Sequence, residues 1–177
     1  ADIRRAYLQA GDCDNALKYA EKYMDKYPNE ASGYVQLAYV YERIGNHLKA
    51  KEIYEQALML ESNNVNYMLN VAEIDLMLGE FDNCKEQIDD ALMMCKSNQD
   101  FASAYRNYSK YYVWKGQINN SIDSYQKAME YDKKYNNPID HLLGSLFELR
   151  DYCLISKKDL ALSKQEELTK KLAHPFN

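Results

Sequence analysis

Glycine and proline are scarce in this chain. Six and three respectively among 177 residues leave few positions that break a helix. No Lys/Arg run occurs and the net charge is -5, with a pI near 5.3, so neither nucleic acid nor an anionic membrane surface is an expected partner. No apolar run reaches the length of a membrane span, and the first residues lack the apolar core of a signal peptide. The four cysteines, Cys13, Cys84, Cys95 and Cys153, show neither the CxxC spacing of metal sites nor a compact disulfide framework. They read as buried free thiols in a reducing compartment, which favours a cytoplasmic location.

Catalytic signatures are equally thin. His47, His141 and His174 have no Asp or Cys at a spacing that suggests a triad. The pairs Asp89-Asp90 and Glu166-Glu167 are adjacent in sequence, and adjacent helix residues point apart, so they read as solvated charge. No glycine-rich phosphate loop or metal-ligand cluster is present. The expectation is a protein with no catalytic residues, no cofactor and no metal site.

What is present is globular and periodic. Apolar residues make up 46% and charged residues 28%, a balance that builds a core rather than a disordered chain. Seventeen tyrosines suit helices with a buried edge and a wet rim, because the ring packs while the hydroxyl stays solvated. Glycines at 11, 45, 79 and 116 stand 34, 34 and 37 residues apart, and each is followed by an acidic or amide residue. A fixed period in this range marks a stacked repeat protein.

The second unit shows the pattern most clearly. Tyr34, Leu37, Ala38 and Tyr41 follow i, i+3, i+4, i+7 spacing and define one helical stripe. Gly45 then lets the chain leave that helix at positive φ. Ala50, Ile53, Tyr54, Ala57 and Leu58 form the inner stripe of a second helix. Small residues at 38, 50 and 57 are required where the paired helices approach closely.

On these residues the chain resembles the tetratricopeptide repeat family. The match in this unit is Tyr34, Leu37, Ala38, Tyr41, Gly45, Ala50, Tyr54 and Ala57, with Ser62 where proline is usual. The first unit matches at Ile3, Tyr7, Gly11, Ala16, Ala20 and Pro28. The third matches at Met68, Val71, Ala72, Gly79, Phe81, Cys84, Ile88 and Ala91, but departs at Asp75, where tyrosine is expected. The fourth matches at Tyr105, Tyr108, Ser109, Tyr112, Gly116, Ser121, Tyr125 and Ala128. Three added residues, Gln99, Asp100 and Phe101, are expected to lengthen the loop before it, with Phe101 as a hydrophobic staple.

The resemblance implies an all-α fold, an α-solenoid of antiparallel helix pairs coiling into a right-handed superhelix of about 4.5 to 5 repeats. The expected organisation of the single array is a partial repeat at 1–30, then repeats at 31–64, 65–98 and 102–135. A divergent repeat and capping helix follow at 137–172, with Gly144 at the small-residue position and a tail at 173–177. The chain begins inside a repeat, so further sequence is expected before Ala1, and blunt terminal repeats leave self-association open.

The same resemblance implies a non-catalytic protein–protein interaction module. In the family the first helix of each repeat lines a concave surface that takes peptides or partner helices. Register places Val35, Tyr39 and Glu42 on that surface in repeat two, then Leu69 and Glu73, Arg106 and Lys110, and His141. The two cations on one face suit a carboxylate or acidic side chain, or else pair with Glu73 and Glu148. A chaperone-tail clamp is not expected, because of the residues that should form it only Arg106 and Lys110 are cationic, and Glu73 would repel the ligand. A regulatory or sensor segment of a larger signalling protein or enzyme is the alternative function.

Four further features carry bland expectations. Asp75 either hydrogen-bonds a neighbouring Tyr or Asn, or loosens the stack. Met59 and Met93-Met94 are expected to pack between the second helices of successive repeats. Trp114 is expected in packing between repeats, or else as an exposed anchor. The sequons Asn107-Tyr108-Ser109 and Asn119-Asn120-Ser121 are taken as chance matches.

Overall fold

A computed structural model of the chain describes residues 7–135. Expectations for His141, Gly144, Glu148, the segment 137–172 and the tail 173–177 lie outside the described residues. The chain divides into two compact units, residues 1–95 and 96–177. The first holds α1 (Cys13–Lys26), α2 (Ala31–Arg43), α3 (His47–Leu60), α4 (Val65–Leu78) and α5 (Phe81–Met94). The second holds α6 (Asn98–Trp114) and α7 (Ile118–Tyr135). No strand occurs among the described residues. In the first unit each helix packs on the next, and in the second α6 packs on α7. The fold is an all-α solenoid of helix pairs.

One backbone device recurs at the four glycine turns. Gly11, Gly45, Gly79 and Gly116 have φ of 75°, 83°, 77° and 69°. The amide that follows each glycine reaches back five residues, Asp12 to Tyr7 and Asn46 to Tyr41, each at 2.9 Å. Glu80 to Asp75 and Gln117 to Tyr112 repeat the bond at 2.8 Å. The glycine amide itself bonds the carbonyl three residues earlier in all four turns. This Schellman arrangement satisfies the last carbonyls of the first helix and needs a left-handed residue, which glycine supplies without strain. The acidic or amide residue after the glycine then opens the second helix. The Asp12 and Asn46 side chains accept from the Asn15 and Lys49 amides at 3.1 and 3.2 Å.

The core of the first unit is built from small and aliphatic side chains. Ala16, Ala20, Ala38, Ala50, Ala57, Ala72 and Ala91 have no exposed surface. Leu37, Val40, Ile53, Tyr54, Val71 and Ile74 fill the space between them. Alanine at the crossings removes side-chain bulk where two helix backbones come together, and the large residues on either side recover the lost contact area.

Residues 99–101 depart from the expected loop. They lie inside α6, which begins at Asn98 and runs 17 residues, against 13 for α2. Ser97 caps that helix. Its hydroxyl accepts from the Asp100 amide at 3.1 Å and the Asp100 carboxylate accepts from the Ser97 amide at 3.0 Å. Helix propagation is cheaper than a longer loop once this reciprocal cap forms. A staple would need an apolar partner before the cap, and Lys96 stands there. Phe101 instead stacks on Tyr131 of α7, with centroids 4.9 Å apart and planes 16° apart.

Candidate functional site

In the first unit the register places Val35, Tyr39 and Glu42 on one stripe of α2, beside the stripe that enters the core. All three are half-buried, and Val35 packs against the core's edge. Glu42 accepts a hydrogen bond from the Tyr54 hydroxyl of α3 at 3.0 Å. Burial pushes the Tyr54 hydroxyl far above its ordinary value, and the charges of Glu42 and Glu73 add to the shift. Tyr54 therefore stays a neutral donor and anchors the Glu42 carboxylate.

The equivalent stripe on α4 is different. Glu73 is half-buried, but Leu69 is only 4% exposed and offers almost no side-chain surface to a ligand. Leu76, two turns beyond Leu69, is buried as well. The apolar part of this face in the first unit therefore comes from α2, with acid on both helices.

In the second unit Arg106 and Lys110 lie one turn apart on α6, and both are half-buried. Arg106 has a partner within its own unit. Its Nη1 donates to Asp132 Oδ2 of α7 at 2.5 Å, and that carboxylate is buried. A buried carboxylate requires a cation, so the structure commits Arg106 to holding α6 against α7. Ring stacking runs along the same hairpin, where Tyr131 sits 5.8 Å from Tyr105 and Lys127 lies over the Tyr105 ring.

Asp75 is the least ordinary residue of the first unit. It is 1% exposed, and its partner is neither Tyr nor Asn. Lys51 Nζ of α3 lies 2.7 Å from Asp75 Oδ1 and 2.5 Å from Glu80 Oε2. Burial raises the Asp75 carboxyl above its usual range, and the Lys51 ammonium partly offsets this. Glu80, at the head of α5, is held below its usual range by Lys51 and Asn83. Asp75 thus ties α4 to α3 through a cation instead of loosening the stack. Lysine at 51, next to the crossing residue Ala50, was the signal in the sequence.

Other features separate cleanly. Cys84 is buried and its thiol is pushed up to about 12, first by burial and then by the charges of Asp75 and Glu73. Cys13 and Cys95 form no disulfide among the described residues and are only half-buried. Ser109 and Ser121, the last residues of the two sequons, are buried and bonded to each other at 2.8 Å. Trp114 is 58% exposed, so it does not pack between repeats. Among the described residues no cluster of three metal-ligating side chains occurs, and no helix is long and apolar enough to cross a membrane.

Helix hairpins joined by identical glycine turns, with alanine crossings and a side face of mixed polarity, define the class of helical-repeat proteins. Models of the tetratricopeptide repeat family match residues 5–30 and 31–64, so these units are tetratricopeptide repeats. No curated protein matches the chain by sequence. Among solved structures it is similar to a MamA fragment from Desulfovibrio magneticus RS-1, at 15% identity and a TM-score of 0.64, covering 95% of this chain and 90% of that one. It is also similar to the nearly identical TPR-like repeats of a putative kinesin light chain from Podosopora anserina. That match has 15% identity and a TM-score of 0.71, over 98% and 92% of the two chains. A third is in the APC/C hetero-tetramer Cut9-Hcn1, with 16% identity and a TM-score of 0.72, over 92% of this chain and 31% of that one. At these identities the likeness is one of fold.

Proposed function

We propose that the protein is a non-catalytic interaction module that holds a peptide or partner helix against the first helices of its repeats. The observation that carries this reading is the α2 stripe. Val35 and Tyr39 stay half-buried beside a core that takes in Leu37, Ala38 and Val40 from the same helix. Glu42 and Glu73 border it, one of them oriented by Tyr54. An apolar step flanked by fixed carboxylates suits an extended segment or helix that carries an apolar residue next to a basic one. The tetratricopeptide repeats at 5–30 and 31–64, of a fold that supplies binding surfaces, support the same reading. In the second unit Lys110 is the cation proposed to meet an acidic group, with Arg106 engaged by Asp132.

The test uses Tyr39→Ala, Val35→Asp and Lys110→Glu in the full chain. Arg106→Glu is unsuitable, since it would set two carboxylates against each other at Asp132. Partners captured by the wild-type chain are measured for affinity against each variant. Loss of about tenfold or more in the α2 variants, with unchanged circular dichroism, is the expected result. Unchanged affinity in all three sinks the assignment.

A further inference from the structure

Met59 and Met93 do not pack between helices. They are 82% and 72% exposed, against the expectation of burial. The two methionines stand 34 residues apart, each at the penultimate position of its helix, α3 and α5. On an α-helix one stripe joins Glu52, Glu55 and Met59, and the same stripe on α5 joins Glu86, Asp89 and Met93. The opposite faces are buried, by Ala50, Ile53, Tyr54 and Ala57 in α3 and by Cys84, Ile88 and Ala91 in α5. Both stripes therefore point away from the core at the same register of successive repeats. Leu60 and Met94 widen the apolar end, at 47% and 39% exposed.

The acids beside the methionines are only partly neutralised. Lys49 pairs with Glu52 and Lys85 with Asp89, each at 2.6 Å. Glu55 and Glu86 make no ion pair among the described residues.

We infer that this outward face of α3 and α5 docks a basic amphipathic helix of a partner protein. The unbranched methionines adapt to its apolar side, and the carboxylates one and two turns back receive its lysines or arginines. Charge decides the occupant. A second copy of this chain placed symmetrically on the face would set these carboxylates against their own duplicates. An acidic or neutral helix would bring no cation to Glu55 and Glu86. The surface is separate from the α2 stripe, so the two readings stand or fall independently.

The probe is a fluorescein-labelled Leu/Lys peptide patterned at the helical period, titrated by anisotropy against the full chain. A peptide of the same composition in scrambled order is the control. The patterned peptide is expected to bind about tenfold or more tightly than the scrambled one. Met59→Ser/Met93→Ser should weaken it by a similar factor, and Glu55→Lys/Glu86→Lys should also flatten its salt dependence. Equal binding of the two peptides would reduce the face to nonspecific charge and overturn the inference. So would retention by the methionine variant, or loss in Tyr39→Ala instead. Concentration-dependent dimerisation that Met59→Ser/Met93→Ser abolishes would give the face to a second copy and overturn it equally. All variants lie at exposed positions, and circular dichroism verifies their fold.

Discussion

The α2–α3 hairpin and the α6–α7 hairpin make the same crossing with opposite chemistry. In the first hairpin Ala38 and Ala50 lie in the core at the repeat positions where the second sets Ser109 against Ser121. All four are buried. In the first hairpin the crossing positions are apolar, and the Tyr54–Glu42 hydrogen bond is a polar tie between the helices. In the second, the two hydroxyls satisfy each other at 2.8 Å, and the Arg106–Asp132 ion pair adds a further polar tie. Small volume is the common requirement at the crossing. The hydroxyls add a dependence, because neither serine tolerates loss of its partner. A second contrast lies within the first unit. Tyr41 is half-buried before its turn, whereas Asp75 at the equivalent place is buried and brings Lys51 in with it.

Breaking that second contrast should have the largest effect. Lys51→Met leaves Asp75 buried without its cation, at a cost of roughly 3–5 kcal/mol in urea unfolding. Lys51→Met/Asp75→Tyr, which restores the tyrosine of the other repeats, should recover much of the loss. The deficit also depends on pH. A carboxyl with a raised folded pKa favours the fold while protonated and withdraws that contribution as pH rises through the raised value. Removing Lys51 raises Asp75 further. It also removes the Glu80 contribution, which is present above the ordinary carboxylate pKa and lost on acidification. The gap between wild type and Lys51→Met should therefore be wider at neutral pH than near the carboxylate range. A gap independent of pH would contradict this.

The serine crossing comes next. Ser109→Ala alone should cost about 1–3 kcal/mol, and Ser109→Ala/Ser121→Ala should recover to near wild type, since no orphan hydroxyl remains. Conversely, Ala38→Ser should destabilise and Ala38→Ser/Ala50→Ser should cost less than the sum of its parts. Additive double mutants in both hairpins would remove the comparison. A smaller uniform effect is expected at the turns. Alanine at Gly45 meets no atom within 4 Å and loses only the left-handed preference, about 1–2 kcal/mol. Gly79→Ala should match it, since Gly79 has the same open surroundings. Least costly is a labelling experiment. Cys84 should resist iodoacetamide at mildly alkaline pH in the native chain while Cys13 and Cys95 react, and unfolding should equalise them.

Much of the fold was legible because its determinants are local. A Schellman turn needs one residue at positive φ, so the glycine ladder exposes the four turns at Gly11, Gly45, Gly79 and Gly116. Helical stripes such as Leu37, Ala38 and Tyr41 follow from a 3.6-residue period alone. Residues 99–101 differ from the repeat-length expectation because the capping box of Ser97 and Asp100, itself a local signal, starts the helix earlier. The exposure of Met59 and Met93 is a local matter as well. Met59 lies two residues past buried Ala57, on the far side of the helix, a position that the wheel already discloses.

The candidate binding face was less legible. Its register follows from the repeat, which names Val35, Tyr39, Glu42, Glu73, Arg106 and Lys110. The state of each side chain depends on residues far along the chain. Arg106 is committed by Asp132, Glu42 is oriented by Tyr54, and Leu69 is withdrawn by burial.

By itself, the sequence determined the repeat type, the helix pairs, their glycine turns and the small residues at their crossings, since period and backbone conformation act over a few residues. Only the tertiary structure decided which polar side chains are spent inside. Lys51 between Asp75 and Glu80, Arg106 on Asp132 and Ser109 on Ser121 each join residues from different helices. A buried charge or hydroxyl takes whichever partner packing brings within reach, and no short-range pattern encodes that choice.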